Sequence, residues 1–190
     1  MGTDNTYPMF PSASSIFDVQ VVWVGDWSAG LPLRDWIASP FGDAVRDLHL
    51  RNISLWRLED QGRATQNDAA LGQLRREVNA HKVERVRLIN LIDGILVERD
   101  DLPTEIPAPD PLWNSETPGS LIDRLSILAL KLHYGSELEA DDVEGVLEGM
   151  SRHAGFLCAR LDHLMRGLDE GEFRFYPSRH VKIYNRLQAC

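Results

Sequence analysis

The chain predicts an all-α fold: an antiparallel, four-helix-bundle-like single domain with an extended C-terminal tail. Four long stretches repeat apolar residues at helical spacing. No stretch alternates convincingly as a strand, and proline- and glycine-rich segments separate the periodic ones. A length of 190 residues fits one full-sized core that needs no metal or disulfide staple.

Residues 1–13 hold two prolines and several small polar residues and read as a flexible lead-in; 14–190 read as one helical domain. Ser14 or Ser15 could cap a short helix bearing Ile16, Val19, Trp23 and Trp27, although Val19 to Val24 also fits a strand. Gly30 to Gly42 reads as a loop. The first long helix runs from about Asp43, a good N-cap, to Arg63. The second runs from about Asp68 to Arg99, with Leu71, Leu74, Val78, Leu88, Ile89, Ile92 and Leu96 on one stripe. Asp101 to Pro111 is a proline-rich connector. Thr117 caps the third helix, Pro118 opens it, and Gly135 ends it. The fourth runs from about Asp141 to Leu168, its stripe extending from Val143, Val146, Leu147 and Met150 to Leu164, Met165 and Leu168. The tail, Phe173 to Asn185, reads as an extended piece packed across the bundle.

Twenty basic and 29 acidic residues leave a net charge of −9. That balance argues against a general nucleic-acid binder, which needs clustered positive charge to neutralise phosphates. No apolar run reaches the ~18 residues of a membrane span, so no membrane association is expected. Met1 to Phe10 lacks the basic and apolar regions of a secretory signal. Cys158 falls mid-helix and Cys190 is the last residue, so no disulfide is expected, and a cytoplasmic location fits.

The helices carry charge where apolar residues belong. On the first, His49, Asn52, Glu59, Asp60 and Arg63 share a face with Val45, Leu48, Leu55 and Trp56, while Asp47, Arg51, Ser54, Arg57 and Gln61 form the opposite, solvated face. On the second, His81, Lys82, Arg85 and Asp93 interrupt the stripe. The third is apolar nearly all round and hence buried, yet carries Asp123, Arg124 and Lys131. Three helices are therefore expected to direct charges into a shared interior, where an unpaired charge is costly. One reading is a salt-bridge network fixing helix register, with Glu59 or Asp60 paired to Arg124 or Lys131 and Asp93 paired to Arg85 or Arg63. The other is a ligand pocket. There Glu59 and Asp60 are the candidate catalytic acid/base groups, and Asn52, Trp56, Arg63, Arg85, Asp93, Asp123, Arg124 and Lys131 are candidates for substrate binding. No phosphate-binding glycine loop, HExxH, CxxC, nucleophile elbow or Glu-x-x-His pair is present. No cofactor or metal is implied.

The segment Asn52-Ile-Ser-Leu-Trp56-Arg-Leu-Glu59-Asp60-Gln-Gly-Arg63 resembles the N-x-x-L-W-x-x-E-D-x-x-R signature of a bacterial all-helical family, domain of unknown function 4254. Glu116-Thr-Pro-Gly-Ser-Leu-Ile-Asp123-Arg124-Leu-Ser-Ile-Leu is similar to its second signature, and Val181-Lys182-Ile-Tyr184-Asn185 to its C-terminal K-x-Y-N box. The second helix departs from the family's polar run: it keeps Arg85 and Asp93 but reads His81, Lys82, Val83, Val86 and Arg87. The resemblance implies a helical fold and a shared site. It also implies a setting near glycosyltransferases in a biosynthetic cluster. The expectation is an enzyme or enzyme subunit acting on a small polar or anionic metabolite, sugar-like or a natural-product precursor, by acid/base chemistry. The alternative is a non-catalytic partner or scaffold of a glycosyltransferase or other biosynthetic enzyme. Residual exposed stripes on the long helices are compatible with a homodimer.

Overall fold

In a computed structural model, residues 10–99, 112–137 and 143–175 are described. They form five helices and one pair of short strands. Helix α1 spans Ala13–Ser28, α2 Pro40–Ala64, α3 Asp68–Val97, α4 Pro118–Gly135 and α5 Val143–Asp169; strands β1 (Leu112–Asn114) and β2 (Phe173–Phe175) pair in parallel.

The valine-rich segment left open between helix and strand is helix α1. Its cap is Ser12, not Ser14 or Ser15; the Ser12 side chain accepts the Ser15 N–H, and Ile16, Val19 and Trp23 bury one face. Trp23 Nε1 donates to Arg34 O at 2.9 Å, which pins the following loop. Helix α2 starts three residues earlier than expected. Ser39 caps it through the Gly42 N–H and Pro40 occupies the first turn, while Asp43 lies just inside and pairs with Arg46. Asn67 caps α3 by accepting from Ala69 and Ala70. Thr117 and Pro118 open α4 as expected, with a reciprocal bond between Thr117 and Ser120. The expected starts of the lead-in and of α5, the proline-rich connector, Cys190 and the K-x-Y-N box lie outside the described residues.

Helix α4 is the centre of the molecule, packed against all four other helices. Its all-round apolarity accounts for this: Leu121, Ile122, Leu125, Leu128, Ala129 and Leu130 are buried. Residue pairs give the directions. Arg85–Asp123 and Asp93–Gly119 run α3 against α4, whereas Gln20–Ile122 and Ser28–His133 run α1 along it. His49–Ser126 and Trp56–Tyr134 likewise place α2 parallel to α4. Sequential neighbours α2/α3 and α3/α4 thus keep the antiparallel order, α5 does so on α4 because Leu147 meets Gly135 while Asp162 accepts the Ala13 N–H at the other end of α1, and α1 adds a fifth helix.

The strand pair was not expected. Phe173 of the tail pairs with Leu112, edges against His163 at 4.9 Å and covers Gly167, while Phe175 is buried. Between Trp56 and Arg87 no residue is buried, so the ends of α2 and α3 project beyond the bundle as a hairpin. No helix among the described residues is long and apolar enough to cross a membrane.

Candidate functional site

A buried polar chain links α2, α3 and α4. Asp123, 4% exposed, accepts from Arg85 Nε at 2.7 Å and Nη2 at 2.5 Å. Asn52 spends both amide hydrogens in the same layer, on Asp123 Oδ1 and Ser126 Oγ, each at 3.0 Å. Ser126 Oγ stands 2.8 Å from His49 Nδ1. Ser126 Oγ accepts from Asn52, and it donates to His49 Nδ1 or accepts from it according to the ring tautomer. The other ring nitrogen, Nε2, is buried with no partner. Burial lowers the His49 pKa to about 3 and keeps the ring neutral.

Asp93 has a different role. Its Oδ1 accepts the Gly119 N–H at 2.7 Å, which anchors the N-terminus of α4 on α3. A Cβ at position 119 would fall 2.5 Å from Ile89 O and 2.8 Å from Asp93 Oδ1, so the close approach requires glycine. Burial raises the Asp93 pKa, against the lowering effect of its bonds from Thr117 and Gly119. The folded state therefore holds this proton to a higher pH than the unfolded chain, and stability falls as pH rises from ~4 through the raised pKa. Asp93→Asn keeps an acceptor for Gly119 without titrating. Its stability relative to wild type should rise across that window and level off above it in urea unfolding at stepped pH; parallel curves would refute the assignment.

The charged residues beyond Trp56 are not interior. The Glu59, Asp60 and Arg63 side chains are 51%, 57% and 76% exposed. Glu59 pairs with Lys82 at 3.4 Å and Asp60 with Arg63 at 2.9 Å. Arg124 pairs with Glu116 on the surface, and Lys131 is exposed. The expected pairings of Glu59 or Asp60 with Arg124 or Lys131, and of Asp93 with Arg85 or Arg63, do not form. Arg51, assigned to the solvated face, instead reaches His81 Nδ1 at 3.2 Å across the α2–α3 seam, and burial followed by Arg51 lowers the pKa of that histidine. The shared charged interior thus reduces to Arg85, Asp93 and Asp123, with the neutral Asn52 beside Asp123.

The exposed groups still converge, around cavities. Asn52, Trp56, Glu59, Asp60, Arg63 and Arg85, six of the ten expected site residues, line a pocket of about 210 Å³ together with Lys82. A groove of about 700 Å³ runs from Trp56, Asp60 and Arg63 past Lys131 and Tyr134 to the first turns of α5. A third cavity of about 530 Å³ opens toward Trp27 and Glu137. All three meet on Trp56 and Asp60. Trp56 stacks on Tyr134 with centroids 5.4 Å apart and planes at 13°. Arg124 lies outside these cavities, and Asp123 acts behind Arg85. Sequence reasoning missed Ser126 and Tyr134, and noted His49 and Lys82 without placing them in the site. The break in the α3 stripe at Lys82 was the available signal. Among the described residues no group of three or more His, Cys, Asp or Glu could hold a metal ion.

No curated protein and no solved structure compared with this chain matches it. A family match covers residues 42–170, from the first turn of α2 to just past α5, and so includes every helix that lines the polar pocket. The chain therefore belongs to the family described as protein of unknown function (DUF4254).

Proposed function

We propose that the chain binds a small, ring-bearing polar metabolite with an anionic group between α2, α3 and α4, and acts on it by proton transfer through Glu59. The observation that carries this reading is the convergence of an aromatic face, a carboxylate and several cations on one pocket of about 210 Å³. A sugar or other flat ring packs on Trp56. Arg85 spends two of its five N–H donors on Asp123, which fixes the guanidinium and leaves the rest for a ligand. Lys82 and Arg63 supply charge for the anion by exchanging their present carboxylate partners. Glu59, released from Lys82, then stands at the pocket wall to take or give a proton. Asp60 is the second carboxylate at the rim and orients Arg63.

The alternative, a non-catalytic partner of a glycosyltransferase or other biosynthetic enzyme, draws support from exposed apolar side chains on α5, Val146 and Phe156. A cavity between the polar pairs favours the small-molecule reading over it. Titration of the full chain with a panel of hexose phosphates and nucleotide sugars separates the two. Lys82→Met should weaken the best binder about tenfold. Glu59→Gln should leave its affinity within about threefold while removing turnover by roughly 10²–10⁴. Both side chains are exposed, so the fold tolerates the changes. If no member of the panel binds, or if Lys82→Met leaves binding unchanged, the proposal is wrong.

A further inference from the structure

The groove beside the polar pocket has a composition the small metabolite alone does not use. Val143, Val146, Leu147 and Met150 follow i, i+3, i+4, i+7 spacing and form its wall on α5. They begin the stripe whose later members, Ala154, Leu157, Leu161 and Leu164, are buried in the core. Val146 is 52% exposed, so the apolar face continues past the point where the described residues cover it. Gly135 lets this wall close on α4: a Cβ there would lie 2.9 Å from Leu147 Cδ2.

Charge marks one end of this apolar wall. Asp60 is taken by Arg63 at 2.9 Å; Glu137 lies 3.7 Å from His133, a charge pair only when that ring is protonated. Lys131 lines the groove and has no carboxylate partner among the described residues. An apolar channel that meets an ammonium outside any ion pair is complementary to an anion joined to a hydrocarbon chain. The polar pocket and the groove share Trp56, Asp60 and Arg63, so one molecule can occupy both. The size of each agrees: about 210 Å³ is small for a whole ligand, whereas about 700 Å³ lies within the usual ~300–1,000 Å³ range.

We infer that the ligand of this site is an amphiphile. Its polar head occupies the pocket beside Glu59, its anionic group stands where pocket and groove meet, at Arg63 with Lys82 on one side and Lys131 on the other, and a linear apolar chain lies in the groove along α5. This rests on the reading of the polar pocket given above and adds the chain to it.

The test uses the full chain and n-alkyl phosphates of four to twelve carbons held below their micelle thresholds, with inorganic phosphate as the chainless control. A parallel series of alkyl carboxylates distinguishes a phosphate from a carboxylate anion. Affinity should rise about fourfold per added methylene, the worth of burying one CH₂, until the groove is filled. Val146→Glu should cut that increment below twofold. Lys131→Met should weaken every chain length about tenfold and leave the increment intact. Both positions are exposed, and circular dichroism checks that the helices persist. An affinity independent of chain length, or an increment that survives Val146→Glu, overturns the inference. So does a concentration-dependent dimer that Val146→Glu dissolves without any chain-length effect, since the groove would then be a face between two copies. Hexose phosphate binding that responds to Lys82→Met with no chain increment leaves the pocket reading standing and removes only the chain. A chain increment alongside a silent Lys82→Met removes the polar pocket, and the head-group half of the inference with it.

Discussion

Replacing Asp123 by alanine is expected to lower the unfolding free energy by about 3 kcal/mol in urea or guanidinium titrations. The carboxylate is nearly fully buried and accepts three hydrogen bonds, two from Arg85 and one from Asn52. Its removal strands a guanidinium whose side chain is only 28% exposed and leaves one Asn52 N–H without an acceptor. Breaking a buried pair from one side typically costs ~3–5 kcal/mol, and the partial exposure of Arg85 places this case at the lower end. The double variant Asp123→Ala/Arg85→Met should be less destabilised than the two single changes together, because no lone charge remains. Ligand affinity should fall as well, since Asp123 is what fixes Arg85 at the wall of the polar pocket. By contrast, Asp60→Asn breaks only an exposed pair and should change stability by less than ~0.5 kcal/mol. A cost below about 1 kcal/mol for Asp123→Ala would mean that this pair does not tie α3 to α4.

That contrast also explains which parts of the site could be read from the chain. Asn52, Trp56, Glu59 and Arg63 share one face of α2, and they do line one pocket. A helical wheel gives direction around the axis but not height along it. The bundle ends near Trp56, where α4 stops supporting α2, so residues of nearly identical direction pass from buried Asn52 to exposed Arg63 within about three turns. The same loss of support leaves Leu71, Leu74 and Val78 of α3 only half-buried despite their regular spacing. The α5 stripe behaves likewise, with Val146 outside and Leu157 inside. Helix α4 was legible because apolarity on every side can be satisfied only at the centre. The α1 segment was not, since a valine-rich run of that length fits either element; its cap at Ser12 and its packing on α4 make it helical. Partners of individual charges depend on the relative heights of neighbouring helices, which no single-helix pattern contains. Ser126 illustrates this: its value as the bridge between Asn52 and His49 exists only once α2 and α4 run side by side.

The acid sensitivity of the fold should trace in large part to His49. An unfolded histidine takes up a proton near pH 6.5, whereas burial lowers the folded-state pKa to about 3. Between these values the unfolded chain binds more protons, so stability is lost as pH falls, by up to about 1.4 kcal/mol per pH unit. This is opposite in sign to the effect of Asp93, which favours the folded state as pH falls. His49→Asn separates the two: the amide oxygen can still accept from Ser126, and the side chain does not titrate in this range. The lost ring volume beside Trp23, 6.0 Å away, should cost ~1–2 kcal/mol at pH 7. The wild-type and variant curves should then converge with acid and cross near ~pH 5. Parallel curves from pH 7 to pH 4 would show that His49 is not held neutral. The effect should stop at stability. A charged His49 makes Nδ1 a donor, and Ser126 Oγ has a lone pair for it as well as one for Asn52. The bonds of Asn52 and Arg85 to Asp123 involve neither partner of that contact, so the wall of the polar pocket should keep its hydrogen bonds over the acid range in which the fold loses stability.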